Sequence, residues 1–345
     1  MYIETEDNIY DILFNKVQIC VTGKCNMNCL HCRDSHTNRE IKINDVYKII
    51  DFALSNRDEE IEIVISGGEP LLYSNLYDIM DYTKNKNIHL ELTTNGYLVT
   101  QDFINKIINY DDKFSVSISL DSTNKDKHDS FRNFNGAFDK AISSIKLFVD
   151  NNIDIRIRTT IPADSLYEIE KMANLCITLG VKTLAIGTVM PVGNAATNSD
   201  LLVSKEQMKM FISEYMRIKN LYSEKLDVLT SECLKDLGET NVTDSSGDFI
   251  ILEGCNAGTA SFNVNQNGDI TPCSMFHAPI ANIYTCPSIE NSFKNSDLLK
   301  TLLSRDYEGP CRNCSKQFTC GGCRQRALYY TGNYKASDPL CWFND

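Results

Sequence analysis

The chain has 345 residues, of which 42% are hydrophobic and 23% charged, and its formal net charge is −12. This composition is typical of a globular protein, and the acidic balance argues against a nucleic-acid backbone as partner. The longest apolar runs, such as "IEIVIS" at 61–66, are far shorter than the about 20 residues that a membrane-spanning helix needs.

The N-terminal stretch "MYIETEDNIYD" is acidic and has no basic segment followed by an apolar one, so it is not a secretion signal. We therefore expect a cytoplasmic protein whose 14 cysteines stay reduced. In a reducing compartment, metal binding or catalysis explains so many cysteines better than disulfides do.

Short β-rich runs alternate with helical stretches from residue 17 to about residue 190. The helical spacing of apolar residues is clearest at 44–54 and 136–149. Six β-then-α units predict a parallel sheet with right-handed crossovers. Residues 204–237 are predicted to be helical, and after residue 250 the chain becomes rich in Gly, Asn and Cys. The predicted strands are 17–22, 61–66, 88–94, 114–120, 153–161 and 181–187.

Polar or glycine-containing segments follow the first four predicted strands. They are a three-cysteine loop, "SGGEP" at 66–70, "TTNGY" at 93–97 and "SLDS" at 119–122. Because functional groups of parallel α/β sheets gather at the carboxyl ends of the strands, these segments predict one site at that rim.

The three-cysteine loop contains Cys25, Cys29 and Cys32. A structural zinc ion takes four ligands, and disulfides take an even number of thiols. Three thiolates on one short loop suit an iron–sulfur cluster with one iron left open. A zinc knuckle and scattered buried thiols are the alternatives.

The spacing Cys25-x3-Cys29-x2-Cys32 after a first strand, with "GGEP" after the second, resembles the radical S-adenosylmethionine (SAM) superfamily. The resemblance implies a partial (β/α)6 radical SAM barrel in which the three cysteines hold a [4Fe–4S] cluster. The open iron would bind SAM, whose reductive cleavage gives a 5′-deoxyadenosyl radical that abstracts hydrogen from substrate. His31 stands where the family usually has an aromatic ring.

The same resemblance implies a set of SAM contacts at the rim. The glycines would let the backbone approach the methionyl group, Glu69 would accept from its ammonium, and a serine and an arginine would follow on the fourth strand. The implied contacts are Gly67, Gly68, Glu69, Thr94, Asn95, Ser119 and Arg132.

Seven C-terminal cysteines resemble the SPASM extension, which carries two auxiliary [4Fe–4S] clusters; a zinc ribbon is the alternative. One position is missing relative to some members, since Ser261 or a neighbour stands where they have a further cysteine. Cys286 is a possible substitute or a small buried side chain. The implied sets are Cys311, Cys314, Cys320 and Cys341 for one cluster and Cys255, Cys273 and Cys323 for the other.

This organisation predicts an N-terminal extension at 1–16, a radical SAM partial barrel at 17–190, a helical linker region at 191–250 and a small Cys-rich C-terminal SPASM domain at 251–345. The fold class is therefore α/β. Residues 1–16 are too few for a domain that grips a leader peptide, so recognition would need a separate leader-peptide-binding protein or a surface on the barrel or cluster domain.

SPASM-type enzymes mostly act on ribosomally made peptides, so the resemblance favours a peptide maturase with a flavodoxin- or ferredoxin-type electron donor. Oxidative crosslinking, as a thioether or a C–C bond, is favoured because electron-accepting clusters are better supported than a hydrogen-donating thiol such as Cys233 or Cys286. Ser274 disfavours the sulfatase-maturing branch, which has an aspartate there. A peptide epimerase, a tetrapyrrole side-chain decarboxylase and a non-catalytic electron carrier remain as alternatives.

Overall fold

The computed structural model describes residues 1–34, 36–55, 59–108, 110, 113–238, 252 and 254–343. Its strands, in chain order, are β1 Tyr2–Glu4, β2 Ile9–Asp11, β3 Lys16–Thr22, β4 Ile61–Gly67, β5 Ile88–Thr94, β6 Phe114–Ser119, β7 Ile155–Ile161, β8 Thr183–Thr188, β9 Asp227–Thr230, β10 Ser261–Val264, β11 Asp269–Thr271 and β12 Ala281–Asn282.

Ten of these strands form one sheet in the order β12-β11-β10-β3-β4-β5-β6-β7-β8-β9. Each neighbouring pair from β3 to β9 is parallel, and β10 is parallel to β3. Strands β11 and β12 add antiparallel pairs at one edge, and β1 and β2 form a separate hairpin. Right-handed β–α–β crossovers explain why the parallel strands follow chain order.

Helices cover one face of this sheet. In α1 the buried residues Val46, Ile49, Ile50 and Ala53 recur at helical spacing, which gives the helix one apolar stripe for the sheet. The helices are α1 Ile43–Ser55, α2 Leu76–Thr83, α3 Gln101–Ile107, α4 Lys125–Arg132, α5 Ala137–Asp150, α6 Ile169–Leu179, α7 Lys205–Leu221, α8 Ile289–Lys294, α9 Asp297–Ser304 and α10 Arg324–Thr331.

The opposite face of β3–β8 is polar, and we call it the lumen. Along β7, Ile155, Ile157 and Ile161 are buried in the core with the helices, whereas the alternate residues are only half-buried on the lumen side. Charged side chains on this face, among them Arg158 on β7 and Glu62 on β4, affect one another electrostatically. The face is therefore lined by polar groups.

The six predicted strands and the parallel α/β architecture are confirmed, with strand ends within two residues of the prediction. The prediction of helix over 204–237 is wrong at its end, because 227–230 form edge strand β9 beside β8. The boundary predicted at 250/251 lies outside the described residues. Beyond it, β10–β12 extend the main sheet. Among the described residues, no helix is long and apolar enough to cross a membrane.

Candidate active site

The three-cysteine loop leaves the carboxyl end of β3 and brings its thiols together. Cys25, Cys29 and Cys32 pack in one small cluster with Met27, Tyr97, Phe134 and Ala137. Burial raises the pKa of Cys25 to about 12 and raises the pKa of Cys29 and Cys32. Bare thiolates are thus unfavourable here, and a bound cationic metal centre would reverse that preference.

The three thiols match the ligand set of a [4Fe–4S] cluster, which takes each thiolate on a different iron and leaves one iron without a protein ligand. They are close enough for the charges of Cys29 and Cys32 to raise the pKa of Cys25. Two buried nitrogens on the same loop, Asn26 Nδ2 and His31 Nδ1, have no hydrogen-bond partner among the described residues.

The loop after β4 closes tightly onto the three-cysteine loop. The backbone N–H groups of Gly68 and Glu69 donate to the carbonyls of Thr22 and Lys24, both at 2.7 Å. A Cβ on Gly67 would lie 2.3 Å from the Thr22 carbonyl oxygen, and one on Gly68 would lie 2.1 Å from that of Lys24. Both positions therefore require glycine for contact between the two loops.

Glu69 is fully buried and joins the ends of β4 and β5. Its Oε1 accepts from Thr94 Oγ1 at 2.7 Å and from the Leu71 N–H at 3.2 Å, and its Oε2 accepts from the Asn95 N–H at 2.9 Å. Asn95 Nδ2 in turn donates to Asn26 Oδ1 at 2.8 Å. The carboxylate thus positions two rim residues and the three-cysteine loop.

Arg132 lies between an acid and one of the three thiols. Its Nε donates to Asp121 Oδ2 at 2.6 Å, and its Nη1 lies 3.8 Å from Cys29 Sγ. Although burial opposes it, the Arg132 guanidinium lowers the pKa of Asp121. The preceding residue, Phe131, stacks on His31 with ring centroids 4.1 Å apart. Helix α4 therefore fixes both the charge and the position of the loop.

A segment after β8, not singled out from the sequence, also holds the loop. Asn194 donates from its N–H to the Cys32 carbonyl and from Nδ2 to the Cys29 carbonyl, both at 2.8 Å. Gly193 has φ +57°, and a Cβ there would lie 2.2 Å from the Cys32 carbonyl oxygen. The sequence contained a signal for this segment, because "GNA" follows a predicted strand as the other rim segments do.

Below the rim, the lumen carries buried hydrogen-bonded groups. Arg33 Nη2 donates to Cys20 Sγ and to Ser66 Oγ, both at 3.3 Å. With the Gln18 amide turned so that its oxygen faces Arg33, a further bond of 2.8 Å forms. Cys20 also faces this lumen, although only 1% of it is exposed. Ser119 stands at the end of β6, half-buried on the same face.

In the C-terminal segment, four thiols line one small cavity. Its cysteines are Cys311, Cys314, Cys320 and Cys341. Cys233 is buried beside this cavity, where it interacts with Cys320 and lies 3.7 Å from Arg326 Nη2. This thiol, which follows β9, therefore packs against the C-terminal segment.

The other three SPASM-like cysteines centre on Cys255. Burial raises the pKa of Cys273 to about 11 and that of Cys323 to about 12, and the Cys255 thiol adds to both shifts. Cys286 lies elsewhere, in a cavity lined by Asp45, Lys48 and Ile49 of α1 together with 283 and 287–289. Ser261 lies on β10 and donates to the Asn256 carbonyl at 3.1 Å.

The C-terminal segment is attached to the carboxyl end of the sheet by a buried network. Arg326 donates to Glu232 Oε2 at 2.6 Å and to Asp338 Oδ2 at 2.7 Å, and Glu232 Oε1 accepts from Thr188 Oγ1 at 2.7 Å. Gln325 Nε2 also donates to the Pro191 carbonyl at 3.0 Å, on the segment that reaches the three-cysteine loop. The two cysteine-bearing parts are thus in direct structural contact.

Comparison with known proteins places this site in context. Residues 19–176 match the sequence model of the radical SAM superfamily. The AdoMet-dependent heme synthase of Nitratidesulfovibrio vulgaris is 26% identical over 337 residues, covering 93% of this chain and 90% of that protein. The mycofactocin maturase MftC of Mycobacterium tuberculosis is 26% identical over 336 residues, covering 94% and 82%.

Among solved structures, the fold is similar to that of Streptococcus suis SuiB bound to its precursor peptide SuiA. The TM-score is 0.79 at 18% sequence identity, over 96% of this chain and 76% of SuiB. At this identity the likeness concerns the fold, and it extends through both cysteine-bearing parts.

Proposed function

Because the protein is a radical SAM enzyme with a C-terminal extension, we propose that it removes hydrogen from a ribosomally made peptide or protein and forms a crosslink, as a thioether or a C–C bond. Radical SAM enzymes bind a [4Fe–4S] cluster and SAM, which together supply the radical that abstracts hydrogen. Because radical SAM superfamily members are enzymes, the alternative of a non-catalytic electron carrier is rejected.

The observation that carries the proposal is the cavity in the C-terminal segment bounded by Cys311, Cys314, Cys320 and Cys341. Four thiols around one space suit a fully ligated auxiliary [4Fe–4S] cluster, and Cys255, Cys273 and Cys323 would hold a second with an open iron. Crosslinking removes two hydrogens from the substrate. One leaves as a hydrogen atom. The other leaves as a proton and an electron, and an auxiliary cluster can accept the electron.

The placement of the spare thiols supports crosslinking over epimerisation. An epimerase needs a thiol that contacts the substrate radical to return a hydrogen atom. Cys233 lies beside Cys320, and Cys286 lines a cavity with α1. Within the described residues, Cys20 is the spare thiol on the lumen face, but it is covered by its contacts with Arg33 and Asn263.

For this chain, Cys25, Cys29 and Cys32 would hold the SAM-binding cluster. Gly67, Gly68, Thr94, Asn95 and Ser119 would line the SAM site. Glu69 and Arg132, which have protein partners, would position the rim as well as set its charge. A flavodoxin- or ferredoxin-type protein would supply the reducing electron, and a separate protein would present the leader peptide.

The test is anaerobic reaction of the reconstituted enzyme with SAM, a reductant and short peptides encoded beside its gene. Crosslinking predicts 5′-deoxyadenosine and a peptide lighter by two hydrogens. Unchanged mass with solvent deuterium at an α-carbon would identify an epimerase instead. Iron should reach about twelve per chain, four for each of three cubanes, and the Cys25/Cys29/Cys32→Ala variant should lose about four of them together with SAM cleavage.

Tetrapyrrole side-chain decarboxylation is the second candidate. It is favoured by the similarity to heme synthases, which matches nearly the full length of both proteins. The polar lumen, with arginines on β7, also suits an acidic small molecule. Incubation with an iron porphyrin that bears carboxylate side chains distinguishes it, since this activity releases carbon dioxide and leaves any peptide unchanged.

A further inference from the structure

Arg158 is a lumen cation that forms no ion pair in the described part of the chain. Three neighbouring cations of the lumen, in contrast, each form an ion pair. These pairs are Lys16–Glu62 at 2.9 Å, Arg156–Glu91 at 2.9 Å and Arg33–Asp34 at 3.1 Å. No ion pair or side-chain hydrogen bond of Arg158 is present among the described residues. The guanidinium of Arg158 is therefore left without a directly contacting carboxylate.

That charge is held in an unfavourable place. Burial lowers the pKa of Arg158; Glu91 and Glu62 oppose this shift, and the neighbouring cations Arg33 and Arg156 add to it. A cation that is partly withdrawn from water and contacts no carboxylate is stabilised by an added anion. Arg33, in contrast, has four protein partners around it.

The surroundings of Arg158 leave room for a ligand. It pairs in register with Ser119 on β6 and with Ala185 on β8, so one neighbour is a predicted SAM contact and the other is small. One step along β8 toward the rim, a Cβ on Gly187 would meet no atom closer than 3.9 Å. Arg158, Ala185 and Gly187 are all half-buried, which indicates that the lumen is open at this point.

We propose that Arg158 is a carboxylate-binding subsite in the lumen, and that the substrate carries an acidic group that binds there. A guanidinium can bind a carboxylate through two parallel hydrogen bonds, which fixes orientation as well as position. The acid is a carboxylate of the substrate, either on a peptide side chain or terminus or on a tetrapyrrole. The inference rests on the proposed function in taking the lumen as the place where the substrate binds.

The experiment measures binding to the reconstituted enzyme and to three variants. Arg158→Gln removes the charge, and Arg158→Lys keeps the charge but cannot form two parallel hydrogen bonds. Arg217→Gln is the matched control, because Arg217 is a surface arginine that pairs with Glu170 and Glu214. Three pairs of probes are used: SAM and decarboxylated SAM, an iron porphyrin tetracarboxylate and its methyl ester, and a glutamate-containing peptide and its glutamine counterpart.

The expected result is that the wild type binds the porphyrin acid or the glutamate peptide more tightly than its neutral counterpart. Arg158→Gln should abolish that preference, a loss of roughly ten- to a hundredfold in affinity for the acid only. Arg158→Lys should restore part of it, and Arg217→Gln should match the wild type. Because Arg158 has no protein partner to leave unpaired, Arg158→Gln should not lower the unfolding temperature.

The arms identify the source of the carboxylate. A preference seen with the porphyrin or the peptide identifies the source of the substrate carboxylate, and a preference confined to SAM would overturn the inference. If no acid is preferred by the wild type, or if the preference survives Arg158→Gln, the inference is wrong. These binding results do not depend on turnover, whereas the proposed function fails only if no peptide is modified.

Discussion

Individual charged residues at the rim act through partners that the sequence did not reveal. Arg132 was expected to hold SAM, and the structure gives it Asp121 and Cys29 as neighbours. Asp121 lay inside the quoted "SLDS" segment, but a carboxylate eleven residues from an arginine has no periodicity that marks them as a pair. Sequence spacing thus locates a functional segment more readily than the contacts within it.

Replacing Glu69 or Arg132 by Gln tests their part in the SAM site. Each change removes a charge from the rim and weakens the bonds that position Asn95 or Asp121. A hydrogen bond to a charged group is worth about 1.5–3 kcal/mol, so SAM affinity should fall roughly ten- to a hundredfold while iron content stays intact. Glu170→Gln, on the surface, is the control. Unchanged SAM binding in both rim variants would show that Glu69 and Arg132 do not contribute to SAM binding.

His128 predicts a specific pH dependence of stability. Burial lowers its pKa from 6.5 to about 4, while Asp121 and Asp129 oppose this shift and Arg132 adds to it. Between these values the unfolded chain binds a proton that the folded protein does not, so stability falls as pH falls. One such ring costs about 2 kcal/mol between about pH 7 and about pH 5.

The His128→Asn variant keeps a polar side chain but cannot titrate in this range. Its unfolding temperature should therefore fall less than that of the wild type when pH is lowered over the same interval. Equal falls in the two proteins would assign the acid sensitivity to other groups.

At the scale of elements, strands β3–β8 were predictable from the sequence, but the strands that pair at the two ends of this sheet were not. Strands β3–β8 consist of β-branched and aliphatic residues in alternation or short runs, which local pattern detects. Strand β9 has only four residues beside a long helix, and its pairing with β8 is non-local. The same holds for β10, which pairs with β3 from about 245 residues later in the chain.

The segment after β8 provides a test of how elements close on the three-cysteine loop. Gly193→Ala would place a Cβ 2.2 Å from the Cys32 carbonyl oxygen, at φ +57°. Gly136→Ala is a matched control, because Gly136 has φ +81° but nothing within 4 Å of the added carbon. Both changes carry left-handed backbone strain of roughly 1 kcal/mol, but only the first also displaces the loop.

We expect Gly193→Ala to lose SAM cleavage and about four irons, and Gly136→Ala to keep both with a slightly lower unfolding temperature. Iron content and 5′-deoxyadenosine release after reconstitution measure the difference. If the two variants behave alike, Gly193 is required only for its backbone conformation.

At the scale of the whole molecule, the two cysteine-bearing parts are built as one structure. The sequence separated them at 250/251 because composition changes there, and composition carries no information about docking. In the structure, β10 joins the sheet beside β3, and α10 contacts the segment that follows β8. The C-terminal thiols, which would hold the clusters that accept an electron from the substrate, are therefore structurally connected to the lumen.

The buried ion network around Arg326 gives the last prediction, since it holds these two parts together. Its guanidinium pairs with Glu232 and Asp338, and all three side chains are at most 6% exposed. Arg326→Met would leave two carboxylates buried without a cation, which typically costs about 3–5 kcal/mol. The unfolding temperature should fall, and peptide modification should be lost while uncoupled 5′-deoxyadenosine release remains. Adding Glu232→Gln and Asp338→Asn removes the unpaired charges, so the triple variant should regain much of the lost stability. A single variant as stable as the wild type would mean that packing alone docks the C-terminal segment.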